Sequence, residues 1–289
     1  MLQDVVEYLV CPHCGLALET APDGRALRCA ARHSFDIARQ GYASLLPGDA
    51  HTGTGDTAAM VAARDDFLGA GHYAPIAAAL AEAAALAVPE AVSDAASSAV
   101  DGCVVDLGAG TGHYLAAVLD ALPEAHGIAL DISKFALRRA ARAHPRAGAV
   151  VCDAWRPLPL RDGAADLVLN VFAPRNGPEL RRVLRPGGTL LVVSPTPRHL
   201  GELVGALGLL GVDERKEQRL AATLGPYLDA AGSSGHGFPM LLDHAAVRTV
   251  VGMGPSAWHT DPAVLADRIA ALPDPVPVTA SVTLSAFTR

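Results

Sequence analysis

Short apolar runs alternate with segments of helical spacing between residues 104 and 194. The apolar runs, each of the length of a buried strand, are VVDLG (104–108), GIALD (127–131), AVVC (149–152), ADLVLN (165–170) and GTLLVVS (188–194). The segments of helical spacing are YLAAVLDAL (114–122), KFALRRAARAH (134–144) and PELRRVLR (178–185). This order predicts an α/β fold with a parallel central sheet and helices on its faces.

The C-terminal part, residues 198–289, has a weaker pattern. It predicts two or three helices and two strands. The last strand, VTASVTLSAF (278–287), alternates apolar and polar residues, and we expect it to join the edge of the sheet.

The part before the sheet predicts two helices. Asp56 and Thr57 can cap a helix that runs through MVAARDDFLGAG (60–71) and stops at its glycines. A second, Ala-rich helix follows Pro75 and fades into a small, polar stretch at residues 93–101.

Residues 1–48 have a different character, with cysteine pairs, turn residues and short apolar runs but no long helical pattern. The Gly- and Thr-rich segment DAHTGTGD (49–56) indicates a linker. The predicted division is therefore a small N-terminal module (1–48), a linker with helices (49–101) and the α/β domain (102–289).

Composition narrows the class of protein. The chain has 289 residues, a formal net charge of −7 and 51% hydrophobic residues, many of them alanine. No window resembles a membrane span, and the N-terminus is acidic where a signal peptide would be basic, so we expect a soluble, cytoplasmic protein. The acidic balance does not by itself indicate a nucleic-acid binder, so contact with RNA would need local positive charge.

The cysteines indicate a metal site. Three of the five lie within the first thirty residues, which favours a metal over disulfides. Cys11-Pro-His-Cys14 and, further on, Cys29 and His33 form the pattern CxxC followed by CxxxH. Four ligands with no open position predict a structural zinc ion in a zinc-ribbon-like module, with His13 as a bystander.

The alternative for this cluster is a set of buried thiols with chance spacing. The other two cysteines, Cys103 and Cys152, lie in strand-like runs, and we expect them to be inert core residues.

The segment VVDLGAGTGHY (104–114) carries the main candidate site. Gly108, Gly110 and Gly112 stand where a strand turns into a helix, so the backbone can lie against a ligand without Cβ interference. The spacing GxGxG, with Asp106 two residues before it, differs from the dinucleotide pattern GxGxxG and suits a ligand that carries an amino acid. Asp131 ends the next strand, where an acid binds ribose hydroxyls.

Asp153 and Ala154 end the third strand, where we expect an adenine contact. Two alternatives remain for these residues. One is an ordinary tight turn flanked by acids. The other is an NAD enzyme, which the glycine spacing does not support.

Several longer motifs resemble one known family, the 23S rRNA (guanine-N1)-methyltransferases that modify hairpin 35 of bacterial large-subunit RNA. Within it, the chain is similar to the actinomycete branch that protects producers of tylosin- and mycinamicin-type macrolides. The matching motifs are CPHC (11–14), FDIARQGY (35–42), AARDDFLGAGHYAPI (62–76), DLGAGTGHY (106–114), NVFAPRNGPELRRVLRPGGTLLVV (170–193) and MGPSAWHTDP (253–262).

The resemblance implies a Rossmann-like class I methyltransferase that uses S-adenosylmethionine, modifies 23S rRNA, confers macrolide resistance and forms a homodimer. It places zinc on the four residues given above. It places cofactor contacts at Tyr73, Gly110, Thr111 and His199. Without the resemblance, Tyr73 and His199 would have seemed a loop aromatic and a capping residue.

Methylation of guanine N1 requires the base to leave its stack and N1 to lose its proton. Candidates for this chemistry are Asn170, Arg175 and Asn176 in the loop NVFAPRN, with Arg175 and Asn170 as the predicted catalytic residues. Our hypothesis is that Arg175 stabilises the enolate charge of guanine, while water or the loop backbone receives the proton. The alternative is an Arg175 that is merely exposed or contacts a phosphate.

Positive charge is concentrated in two places. Lys134, Arg138, Arg139, Arg142 and Arg146 lie in an acid-free stretch, and the second group is Arg181, Arg182 and Arg185. A solvated helix face is the ordinary explanation of such runs. The N-terminal module is not basic overall, so we expect it to recognise RNA shape, and its deletion to abolish rRNA methylation while sparing cofactor affinity.

Two other functions remain open at this stage. One is a small-molecule methyltransferase of secondary metabolism, for which the acidic charge would be suitable. The other is a zinc-ribbon RNA-binding or assembly protein with a vestigial cofactor fold, against which the complete glycine loop argues.

Overall fold

The computed structural model describes residues 2–50, 53, 55–88, 102–213, 215–254 and 261–289. The polar stretch predicted at 93–101 and most of the motif MGPSAWHTDP (253–262) lie outside the described residues. Within the described part of the chain, no helix is long and apolar enough to cross a membrane.

The described helices begin with a 3₁₀ helix, Leu2–Tyr8. The α-helices are α1 (Ala58–Gly69), α2 (Ala74–Ala87), α3 (His113–Ala121), α4 (Lys134–Ala140), α5 (Gly177–Val183), α6 (Gly201–Leu207), α7 (Lys216–Leu224), α8 (His244–Gly252) and α9 (Pro262–Ala270). The strands are β1 (Leu18–Thr20), β2 (Ala26–Cys29), β3 (Ser34–Asp36), β4 (Tyr42–Ser44), β5 (Cys103–Leu107), β6 (His126–Asp131), β7 (Ala147–Val151), β8 (Ala165–Val171), β9 (Leu184–Pro195), β10 (Asp229–Leu242) and β11 (Val276–Thr288).

Eight of the described strands form one sheet in the order β10-β11-β9-β8-β5-β6-β7-β4. The pairs from β9 to β4 are parallel, which confirms the predicted α/β architecture. Two antiparallel strands extend the sheet, so it is mixed rather than wholly parallel.

The position expected for the last strand is wrong. β11 lies second from the edge, between β9 and β10, and β10 forms the edge itself. The reason is the sequence of β10, DAAGSSGHGFPMLL, whose small and polar residues show no alternation that could identify a strand.

Two helix predictions also need correction. The helix predicted through residue 144 ends at Ala140, and turns precede Pro145. The C-terminal part holds four described helices, α6 to α9, rather than two or three. Gly208 separates α6 from α7, because it ends α6 in the left-handed region with φ of 67°.

The sheet buries both of its faces. Leu167 and Leu169 of β8 point into one hydrophobic cluster, whereas Val168 points into a second. The first cluster includes residues of α1, α2, α3 and α8, and the second includes residues of α5 and α7. Such two-sided burial explains why these strands appear as continuous apolar runs in the sequence.

The N-terminal segment is joined closely to the sheet. β1, β2 and β3 form a small antiparallel sheet, but β4 pairs in parallel with β7 of the large one. The 3₁₀ helix packs on Gly148, where a Cβ atom would lie 2.4 Å from Val5. Deletion of residues 1–48 would therefore remove part of the core of the α/β domain, and point variants are the cleaner test of the module.

Candidate functional site

Four predicted ligands meet in the N-terminal segment. The donor atoms of Cys11, Cys14, Cys29 and His33 all lie within 4.8 Å of one another. The Sγ atoms of Cys14 and Cys29 are 3.7 Å apart, and His33 Nδ1 lies 3.4 Å from the Sγ atoms of Cys11 and Cys29. Tetrahedral zinc with zinc–sulfur distances of about 2.3 Å separates thiolates by about 3.8 Å, so the cluster fits this ion.

Local turns produce this geometry. Gly15, with φ of 71°, donates its N–H to the Cys11 carbonyl, and Arg32, with φ of 68°, donates its N–H to the Cys29 carbonyl. These two left-handed residues close the loops that aim the ligand pairs at one point. His13 stacks on Phe35, with ring centroids 5.8 Å apart, outside the ligand cluster.

The two remaining cysteines lie in the sheet. Cys103 and Cys152 are buried free thiols. Burial raises the pKa of each thiol well above its ordinary range, so neither is a ready nucleophile.

The glycine loop connects β5 to α3. Gly108, Gly110 and Gly112 all adopt left-handed φ angles, of 80°, 55° and 81°. A Cβ atom at Gly108 would lie 2.4 Å from the Ala173 Cβ, and one at Gly112 would lie 2.9 Å from the Ala143 Cβ. Both the backbone conformation and the packing therefore require glycine, as predicted for a ligand-binding turn.

Two acids flank this loop. Asp131 accepts hydrogen bonds from the N–H groups of Gly110 and Ser133, at 2.9 and 2.8 Å. Asp106 is buried, and neither of its carboxylate oxygens has a hydrogen-bond partner among the described residues. Burial, with a smaller effect of Asp131, raises the pKa of Asp106 to about 8. A buried acid without a partner is a feature that occurs at functional sites more often than elsewhere.

A cavity of about 840 Å³ opens in front of the loop. The predicted site residues that line it are Tyr73, Gly108, Thr111, Arg175 and His199. The predicted site residues absent from its lining are Asp106, Gly110, Gly112, Asp131, Asp153, Ala154 and Asn170. The cavity thus reaches Gly108, Ala109 and Thr111 of the loop, whereas Asp106 and Asp131 lie outside it.

Arg64 of α1 lies between the cavity and the part of the loop at Gly110. Its Cδ and Nη1 atoms lie 3.3 Å from the position of a Cβ atom on Gly110. Its Nη2 is 2.7 Å from Asp56 Oδ2 and donates to the Met253 carbonyl, whereas its buried Nε has no partner among the described residues. Sequence reasoning missed Arg64, because an arginine in the charged segment AARDDF gives no sign of facing a ligand.

Tyr73 and His199 lie next to each other in the wall of the cavity. The Tyr73 hydroxyl lies 2.9 Å from His199 Nε2, and the Ser281 N–H donates to His199 Nδ1 at 3.1 Å. Burial lowers the pKa of His199 to about 4, so the ring is neutral at pH 7. Because Nδ1 accepts, the remaining ring proton lies on Nε2 and is donated to Tyr73.

The loop after β8 carries the predicted catalytic residues. Asn170 is fully buried, and its amide donates to the Pro174 carbonyl at 2.8 Å, so it shapes the loop and does not face the cavity. Arg175 lines the cavity and donates to Ser194 Oγ at 3.0 Å. Burial lowers the pKa of the Arg175 guanidinium. Asn176 donates to the Ala154 carbonyl, away from the cavity.

The predicted adenine position has a different arrangement. Asp153 Oδ1 accepts the Trp155 N–H at 2.9 Å, so the carboxylate closes its own turn. Ala154 offers its carbonyl to Asn176. From this turn, the residue that reaches the cavity is Trp155, whose side chain is 67% exposed.

Two further cavity residues escaped sequence reasoning. Phe172 has φ of 54°, an uncommon conformation for a residue with a bulky side chain, and its exposed ring lies 5.8 Å from that of His199. Lys216, at the start of α7, also lines the cavity, and burial and Arg175 lower its pKa. No periodic signal marks either residue, since each depends on contacts between distant segments.

Comparisons with known proteins agree with this picture. A family model described as a methyltransferase domain matches residues 104–188, and a model described as "RlmA, N-terminal" matches residues 9–52. A methyltransferase solved in complex with the Haloferax volcanii Trm112 activator shares the fold, with a TM-score of 0.51, 18% identity and coverage of 81% of this chain and 97% of that chain.

Two curated relatives span the full chain. One, from Micromonospora griseorubida, is named for 23S rRNA (guanine-N(1)-)-methyltransferase activity and is 59% identical, with 99% of each chain covered. The other, from Streptomyces fradiae, is the 23S rRNA (guanine(748)-N(1))-methyltransferase, 53% identical over 99% of this chain and 98% of the relative. With its glycine loop, its cavity and its cluster of zinc ligands, the chain belongs to the family of 23S rRNA (guanine-N1)-methyltransferases.

Proposed function

We propose that the protein transfers the methyl group of S-adenosylmethionine to N1 of a guanine in hairpin 35 of 23S rRNA, and thereby confers resistance to macrolides such as tylosin. One observation carries the proposal. The wall of one cavity contains Gly108 and Thr111 of the glycine loop with Tyr73 and His199, together with aromatic and cationic side chains that suit a nucleobase.

Residues around the glycine loop suit the cofactor. S-adenosylmethionine, when bound, supplies a methyl group on a sulfonium that is ready for in-line attack. The Arg64 guanidinium, with its unpartnered Nε, suits the cofactor carboxylate, and Asp131 suits the ribose hydroxyls. The Arg64 side chain covers Gly110. It must therefore shift for one ligand to contact both the Arg64 guanidinium and the Asp131 carboxylate.

Trp155 and Phe172 suit an extruded base. They are the two aromatic residues among the exposed large hydrophobic side chains of the described chain, and both line the cavity. A guanine removed from its RNA stack loses favourable contacts, and stacking on an aromatic side chain restores about 1–3 kcal/mol. Strained backbone conformations occur mainly at functional sites, so the positive φ of Phe172 supports a functional role for this residue.

Arg175 and Lys216 suit the charge of the reaction. Within the described residues, neither has an ion-pair partner, whereas Asp213 in the same wall is paired with Arg219. As the bond between guanine N1 and the methyl carbon forms, the carbon–sulfur bond breaks, and the N1 proton passes to water. A cation near guanine O6 stabilises the enolate form and so favours loss of that proton. Asn170 contributes by holding the loop that presents Arg175.

The test is an assay of the purified enzyme with radiolabelled S-adenosylmethionine and a transcript of hairpin 35. We expect N1-methylguanosine in the transcript, and turnover that falls at least tenfold in Arg175→Ala without loss of RNA binding. Methylation of small acceptors but not of the transcript would favour the small-molecule alternative. An Arg175→Ala enzyme with normal turnover would remove the role of Arg175.

Two further proposals come from the family. We place the enzyme in the cytoplasm, where the proposed rRNA substrate is located. We also propose a homodimer, which light scattering of the purified zinc-loaded protein would test through its molar mass.

A further inference from the structure

The two basic groups noted in the sequence have different surroundings in the structure. In the second group, Arg181 donates to the Tyr227 carbonyl. Arg182 is paired with Glu179 and Asp162. Arg185 is paired with Asp166. Two of the three charges in this group are therefore paired with carboxylates, and Arg181 keeps its free charge.

The group on and after α4 divides further. Arg146 donates to the carbonyls of Leu119, Leu122 and Ala125, so it has a structural role. The remaining cations point outward and are exposed: Lys134, Arg138, Arg139 and Arg142. Of these, Arg139 is paired with Asp65.

The three arginines of this outward group line a crevice of about 410 Å³, with Asp65 as the acidic residue of its described wall. Thr111 and His113 line both this crevice and the large cavity, so the two lie back to back at the start of α3. The buried Nε2 of His113 has no hydrogen-bond partner among the described residues. His113 is a further polar side chain in the wall of the crevice.

The chain next to Arg142 also contacts the N-terminal segment. A Cβ atom at Gly41 would lie 3.7 Å from the Ala141 Cβ, so the turn before β4 touches the chain next to Arg142. The exposed Arg39 belongs to the same turn. Arg39 is therefore two residues from the point where the N-terminal segment touches the chain next to Arg142.

We propose that this crevice binds a phosphodiester group of the RNA strand that carries the target guanine, an inference that rests on the proposed function. Guanidinium groups match the oxygens of a phosphate and position a backbone without reading its sequence. On a chain of net charge −7, such a patch also selects the face that an RNA approaches. Arg138 and Arg142 are the central contacts, since Arg139 is already paired.

The test compares the full-length, zinc-loaded enzyme with the double variant Arg138→Gln/Arg142→Gln. Binding of the hairpin 35 transcript is measured over a series of KCl concentrations. Each lost phosphate contact lowers the slope of log Kd against log salt by about 0.7–0.9, so we expect a decrease of about 1–2. Affinity near physiological salt should fall about tenfold, while affinity for S-adenosylmethionine stays unchanged.

A matched control removes two other exposed arginines, in Arg161→Gln/Arg248→Gln, and should leave the slope unchanged. The variant Arg138→Lys/Arg142→Lys keeps the charge and should retain most of the slope. An unaltered slope in the glutamine variant, or an equal decrease in the control, would overturn the proposal. If the wild-type enzyme still methylates the transcript when the phosphate site is overturned, the proposed function remains intact. A wild-type enzyme that neither binds nor methylates the transcript would overturn both the phosphate site and the proposed function.

Discussion

The Tyr73 hydroxyl accepts a hydrogen bond from His199 Nε2 over 2.9 Å, between residues that are 126 positions apart. Tyr73 is the residue just before α2, and His199 lies between β9 and α6. The bond therefore joins two segments of the cavity wall. It also leaves the Tyr73 hydroxyl proton free to be donated to a bound ligand.

Removal of this hydroxyl should weaken cofactor binding. In Tyr73→Phe, the cavity loses a hydroxyl that can donate to the bound cofactor, a hydrogen bond that contributes about 0.5–1.5 kcal/mol. We expect the Kd for S-adenosylmethionine, measured by isothermal titration, to rise about tenfold. Tyr42→Phe makes the same change outside the cavity and should have no effect. Equal affinities of Tyr73→Phe and the wild type would show that the bond has no role in binding.

The neutral state of His199 predicts how stability depends on pH. The folded-state pKa is about 4, below the ordinary 6.5, so the unfolded state takes up this proton more readily between those values. The free energy of unfolding therefore keeps its full value, as far as His199 is concerned, above pH 6.5. It decreases by up to about 3 kcal/mol as the pH falls from 6.5 toward 4. Denaturant unfolding at several pH values should show a smaller loss in His199→Gln than in the wild type. Parallel losses would contradict the assignment.

Loss of one zinc ligand should destabilise the α/β domain as well as the N-terminal segment, because the two share one hydrophobic cluster. For Cys14→Ser, we expect loss of bound zinc and a cost of at least about 3 kcal/mol, or roughly 6–12 °C in Tm. Metal analysis and calorimetry check both points. His13→Ala, beside the cluster but outside it, should keep one zinc per chain. A Cys14→Ser protein that retains zinc and the wild-type Tm would contradict the four-ligand site.

The backbone strain at Phe172 predicts a trade between stability and activity. Glycine accepts φ of 54° without strain, so Phe172→Gly should be as stable as the wild type or more stable by about 1 kcal/mol. Loss of the ring should lower kcat/KM for RNA about 5- to 150-fold, the equivalent of one stacked base, at unchanged cofactor affinity. Phe172→Tyr should retain activity. Full activity of the glycine variant would argue against a stacking role.

Most of the fold could be predicted from the sequence, because β5 to β9 are buried on both faces and appear as apolar runs. The zinc ligands could also be predicted, because they lie close together in the sequence. Strand β10 was not, because its stability comes from pairing with β11 rather than from its own pattern. Arg64 and Lys216 escaped for a similar reason, as only tertiary contacts bring them to the cavity.

We propose this cavity as the place where N1 of a guanine in 23S rRNA is methylated. The most direct measurement is mass spectrometry of hairpin 35 fragments from cells that express either the wild-type protein or Gly108→Val, whose side chain collides with Ala173. We expect one N1-methylguanosine with the wild type and none with the variant. An unmodified hairpin in wild-type cells, or a methyl group on another atom, would contradict the proposal.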